Sequence, residues 1–169
     1  MKLWDKNNSV NEKIIEFTVG DDRLNDLYLI KYDVKASISH AKMLYRSNLL
    51  SEIECDKIIN ILNEILSQAE AGELKIEKEF EDMHSKIEYI LTDKLGDIGK
   101  KIHTARSRND QVLVSIQLYL IDELNIIKTE IKSLFDLLIN LAKKNKNIIM
   151  PGYTHMKAAM PSSFGLWFS

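Results

Sequence analysis

The chain has 169 residues, and 23 Lys+Arg against 25 Asp+Glu leave a formal charge of −2. That near balance argues against nucleic-acid or membrane-surface binding driven by bulk electrostatics, and 45% hydrophobic with 28% charged residues is a globular composition, not a disordered one. The lone Cys55 excludes an internal disulfide, no apolar run approaches the roughly 18 residues of a membrane span, and no signal-peptide core opens the chain, so a cytosolic enzyme, scaffold or binding module remains.

Six glycines and two prolines leave few places to turn, which predicts long elements. Residues 1–20 carry no clear period. From Leu24 to about Asn48, Leu27, Ile30, Val34, Ile38, Ala41, Leu44 and Tyr45 recur at three and four, a helix period. Ser51-Glu-Ile-Glu54 is a capping box, and the helix it opens carries Ile58, Ile61, Leu62, Ile65 and Leu66 on one face until Gly72 stops it. A third helix is predicted from about Phe80 to Leu95, with Phe80, Met83, Ile87, Ile90 and Leu91 buried and Gly96 and Gly99 at its end. Neither glycine nor proline stands between Gly99 and Pro151. There Leu113, Leu120, Leu124, Ile127, Ile131, Leu134, Leu138 and Leu141 predict a helix of about 35 residues, about 50 Å long. Ile116, Tyr119, Ile126, Phe135 and Ile139 add further apolar faces, as in a bundle packed on several partners. Asn145–Asn147 breaks this helix, Pro151-Gly152 marks a loop, and Pro161 fits the first turn of another helix that reaches Trp167-Phe168-Ser169. These unmatched faces predict a fragment of a longer protein or an oligomer.

Three stretches could carry chemistry. His103-Thr-Ala-Arg-Ser-Arg-Asn-Asp-Gln111 lies where the long helix starts, so backbone N–H groups and Arg106 or Arg108 offer a carboxylate or phosphate site. The competing reading is a helix cap, with Thr104 or Ser107 as cap and Asp110 favouring the dipole; caps occur at every helix start, which favours this reading slightly. Pro151-Gly-Tyr-Thr-His-Met-Lys157 presents Thr154 beside His155, a proton carrier near neutral pH. Alone, that pair reads better as an ordinary loop. In Glu81-Asp-Met-His-Ser-Lys-Ile-Glu88, His84 adjoins the buried stripe, as a core or boundary histidine bonded to Glu81, Asp82 or Glu88 would. No second histidine stands three or four residues away to make a zinc site.

Taken together, in this order and spacing, the three stretches closely resemble argininosuccinate lyase. The Leu3-Trp4 opening and the Gly96-Asp-Ile-Gly-Lys-Lys101 lead-in fit as well. The resemblance covers essentially the whole chain. It implies an all-α fold: a small N-terminal helical domain (1–105), then the first long helix of a central bundle (106–169, incomplete). It implies a reversible β-elimination of argininosuccinate to arginine and fumarate without metal or cofactor, in a cytoplasmic homotetramer whose sites are shared between subunits, with no nucleic-acid or membrane partner. By motif match, Ser107, Arg108, Asn109 and Thr154 hold substrate carboxylates and His155 serves the acid/base step. His84 and Asp26 take supporting places. The family's third motif, a flexible loop with a catalytic serine, falls outside residues 1–169, so this chain alone is expected to show little or no activity. The sequence departs from the family at Asp5–Asn8, where Gly-Gly-Arg-Phe is usual, at Thr18–Arg23, and at Met156–Met160, where Leu-Gln-Arg-Ala-Gln is usual. Two other readings share the scaffold: a related fumarate-releasing lyase, against which Ser107-Arg108-Asn109 counts, and a non-catalytic helical assembly protein.

Overall fold

A computed structural model of the chain describes residues 12–169; the Leu3-Trp4 opening and the departure at Asp5–Asn8 lie outside the described residues. The chain forms two compact units, one up to Leu120 and one from Ile121 to Ser169.

The first unit is helical. Short α1 (Glu12–Val19) forms where the pattern predicted no element. It is followed by α2 (Asp22–Arg46), α3 (Glu52–Glu70), α4 (Met83–Leu95), α5 (Asp97–Lys100) and a 3₁₀ turn at Lys101–His103. The predicted stripes form the core. Ile30, Val34, Ala41 and Leu44 of α2 meet Ile58, Leu62 and Ile65 of α3 and Met83, Ile87 and Leu91 of α4. Leu27 and Tyr45 share the α2 period but lie at the rim, 40% and 42% exposed.

Local chemistry sets the ends of these helices. The Ser51–Glu54 capping box is made on both sides: Ser51 N donates to Glu54 Oε2 at 2.9 Å, and Glu54 N donates to Ser51 Oγ at 3.3 Å. The Lys101 ammonium and the Ser51 backbone N–H hold the Glu54 carboxyl down at about 2. Beyond α3, Gly72 turns left-handed at φ +70°. Asp82 caps α4 by accepting from Ser85 N at 2.7 Å. Only Gly96, at φ +60°, stops α4; Gly99 lies inside α5, where a Cβ would strike the Leu91 and Thr92 backbone.

The long helix α6 runs over Arg108–Asn145, 38 residues and about 57 Å. Gln111 and Ser115 are its buried residues. Its apolar faces are exposed within this chain; Leu113, Leu124 and Ile131 are each about 60% accessible.

In the second unit the expected loop at Pro151-Gly152 and the helix starting at Pro161 are not what forms. Strand β1 (Ile149–Thr154) pairs antiparallel with β2 (Lys157–Ser163), with Pro151 opposite Pro161 and Thr154 opposite Lys157. In a two-stranded ribbon both strands are edges, so prolines lacking an N–H are tolerated there. The last helix, α7 (Phe164–Phe168), starts three residues later than predicted, where Ser163 Oγ accepts from Leu166 N at 3.1 Å. The fold is all-α apart from this hairpin. Among the described residues no helix is long and apolar enough to cross a membrane.

Candidate functional site

The start of α6 is both a cap and a charge cluster. Asp110 Oδ2 accepts from Ser107 N at 2.8 Å and from Ser107 Oγ at 2.9 Å, while Asp110 N donates back to Ser107 Oγ at 3.4 Å. The Ser107 N–H and hydroxyl hold the Asp110 carboxyl below its ordinary range. Ser107 is therefore the cap that the competing reading allowed for. A ligand carboxylate at this helix start would have to displace Asp110 from the same donors.

Arg108, on the first turn of α6, faces α4. Its Nη1 lies 3.5 Å from Glu88 Oε1 and its Nε 3.5 Å from Asp82 Oδ2, while Nη2 donates to Ser85 Oγ at 3.3 Å. These contacts are long and divided among several partners, so none is a strong bidentate pair. A ligand carboxylate that offered both oxygens would compete well for this guanidinium. Asn109 is exposed beside it. Glu88 is shared with His103, whose Nδ1 is 3.1 Å away.

His84 is buried on α4, and its partner is not one of the carboxylates expected from its own stretch. Its Nδ1 lies 3.0 Å from Oδ2 of Asp33 on α2, and both residues are almost fully buried. Asp33 escaped the sequence reading. The available signal was an acid three residues after Ile30 and beside Val34, on the face of α2 that enters the core. Asp26, about two helical turns before it, accepts from Met83 N at 2.9 Å at the start of α4. Burial pushes the Asp26 carboxyl up; the Met83 N–H and His84 oppose that rise. Asp26, His84, Arg108 and the 107–109 turn thus gather where α2, α4 and α6 meet in the first unit. Arg106 and Ser37 join them through a 2.9 Å bond from Nη1 to Oγ.

Thr154 and His155 belong to the second unit. Thr154 ends β1 and His155-Met156 form a two-residue turn, with φ +47° and +63°. Such turns favour Asn-Gly, because other residues pay roughly 1–2 kcal/mol to enter the left-handed region. A histidine kept there, with its ring exposed, is a strained residue in the kind of place where strain accompanies function.

The helical architecture has counterparts among solved structures. A fumarate lyase from Mesorhizobium sp. BNC1 superposes over 87% of this chain and 36% of its own, with a TM-score of 0.65 at 21% identity. A fumarate lyase:delta crystallin from Brucella melitensis does so over 93% and 39%, at 0.72 and 17%. At those identities the likeness is one of fold. A family model described as Lyase matches residues 13–169, and the chain belongs to that family. An argininosuccinate lyase of Phocaeicola vulgatus is 52% identical over 99% of this chain, and one of Thermotoga neapolitana is 48% identical over 98%. The chain spans 37% and 42% of the length of those two relatives.

Proposed function

We propose that the protein carrying this chain is an argininosuccinate lyase, which splits argininosuccinate reversibly into arginine and fumarate. The observation that carries the reading is the 52% identity to a curated enzyme of that name across 99% of the chain. The chemistry suits the residues. Removing a proton from the carbon next to a carboxylate builds an aci-carboxylate with two negative charges, which needs fixed donors aimed at it. Ser107, Arg108, Asn109 and Thr154 supply hydroxyl, guanidinium and amide donors of that kind. The departing guanidine nitrogen needs a proton, and His155 serves this acid/base step directly or by orienting another group. Asp26 and His84, on α2 and α4, take supporting places by motif match. The reaction needs proton transfer and charge stabilisation only, so no cofactor enters the proposal.

The exposed apolar faces of α6 suit burial in a bundle shared by four copies, with sites assembled between subunits. Residues 1–105 then form the N-terminal domain and the bundle domain begins at 106, in a cytoplasmic enzyme acting on small molecules. The test is fumarate release, followed by absorbance, from argininosuccinate and from a panel of other succinyl compounds. Release from argininosuccinate alone is expected; release only from another compound, or from none, refutes the reading. His155→Asn is expected to lower turnover about 10²-fold or more.

A further inference from the structure

The segment between the 3₁₀ turn and α6 is bent against the preference of its own residues. Ala105 sits at φ +56°, in the left-handed region that a side chain with a Cβ avoids. Such a bend persists only where the surroundings over-determine it. Two tethers do so here, both from one face of α2. His40 Nε2 donates to the Thr104 carbonyl at 2.9 Å, and Arg106 Nη1 donates to Ser37 Oγ at 2.9 Å. Ser37 and His40 are three residues apart, so one helical face grips the bend on both sides of Ala105.

Arg106 is a costly choice for this grip. Its Nε is buried without an acceptor among the described residues. Burial works against its charge, while Asp33 and then Glu88 favour it. An apolar side chain of similar length would fill the space without that cost. A charged residue retained in such a place, next to Ser107, Arg108 and Asn109, has a task beyond packing.

We propose that Arg106 is a positioning residue, clamped to Ser37 of α2, which fixes the 104–107 bend so that Ser107, Arg108 and Asn109 are presented on the first turn of α6. This rests on the lyase reading for its consequence in activity, but its geometric part stands apart from it. A misplacement of about 1 Å in groups that bind substrate lowers kcat/KM by up to on the order of 10²-fold.

The test uses Arg106→Met and the milder Ser37→Ala in the whole protein that carries this chain, with two readouts. The first is amide hydrogen exchange at Ser107 and Asp110. Both variants are expected to accelerate it about tenfold, the net worth of one hydrogen bond, while α3 amides keep their rates. The second is steady-state cleavage of argininosuccinate. KM is expected to rise in both, with Arg106→Lys recovering part of the loss and the double variant no worse than Arg106→Met. A merely structural role would lower kcat through the folded fraction and leave KM unchanged. Unchanged exchange at Ser107 and Asp110 in both variants overturns the proposal, as does unchanged KM in an active enzyme. If the parent cleaves no argininosuccinate, the lyase reading fails, and the exchange readout alone decides the clamp.

Discussion

Replacing His84 by leucine removes one half of a buried pair and leaves the other half in place. Asp33 is fully buried, and its Oδ2 has His84 Nδ1 at 3.0 Å, close by distance though not aligned as a hydrogen bond. Leucine fills a similar volume, so the cavity term is small and the electrostatic term dominates. Breaking a buried pair from one side costs about 3–5 kcal/mol, because the remaining charge keeps its desolvation penalty. The charge of Arg106 still acts nearby, which places the expectation at the low end, about 3 kcal/mol. At 1.4 kcal/mol per decade this is about a 10²-fold rise in the exchange rate of the slowest amides of α2 and α4. Native-state hydrogen exchange read by mass spectrometry measures it, and peptides from residues 121–169 serve as the control. Replacing both partners, with Asp33→Leu added, should recover most of the loss, since an apolar pair of matched volume is often neutral. A change below about fivefold for His84→Leu would show that Asp33 is compensated elsewhere, and the account of this pair would fail.

Three further expectations follow from the geometry. Met156→Gly relieves a left-handed residue that is otherwise fully exposed, and should stabilise the hairpin by about 1 kcal/mol, read as slower amide exchange in the hairpin. Gly99→Ala places a Cβ against the backbone of Leu91 and Thr92, which cannot move aside as a side chain can; a loss of about 2–3 kcal/mol is expected at the α4–α5 junction, and full tolerance would contradict the close approach. His40 has its pKa lowered, first by burial and then by Arg106, with His103 adding to this and the Thr104 carbonyl and Asp110 opposing it. Its folded state thus favours the neutral ring, so stability is present above its ordinary value of 6.5 and falls as pH drops through that value, where the unfolded chain takes up the proton first. The amides around Thr104 should exchange faster below about pH 6.5 after correction for intrinsic rates, and His40→Gln should flatten that dependence.

The four longest helices were legible because each signal is local. An apolar residue every third or fourth position gives α2, α3, α4 and α6, and Ser51 with Glu54 names the start of α3 within one turn. The hairpin was not legible. Its strands show no alternation, its two prolines read as breakers, and its turn is His-Met where a hairpin signal would be Asn-Gly. The stop predicted at Gly99 failed for a related reason: a glycine can mark a close approach as well as an end, and only tertiary packing decides which. The partner of His84 also came from another helix, 51 positions earlier than the histidine itself, which no reading of Glu81–Glu88 could supply.

Where the local rules were broken is itself informative. Among the described residues, four other than glycine have positive φ: Asn48, Ala105, His155 and Met156. Asparagine tolerates that region and here it follows the end of α2, so Asn48 needs no special account. The remaining three fall inside 103–111 and 151–157, two of the three stretches whose side chains were singled out for chemistry. Buried polar groups are distributed in a similar way. Asp33, Ser37, His84, Ser85, Gln111 and Ser115 lie on α2, α4 and the start of α6, while the buried residues of α3 are all apolar or Cys55. A scaffold selected for stability alone would place neither strain nor buried charge there, since each costs on the order of 1–3 kcal/mol and simpler residues would fit. In the first unit the strained bend at Ala105 thus lies beside the elements that hold the buried polar groups, while α3 keeps a conventional apolar face, so strain and buried polarity are local there and not spread through the core.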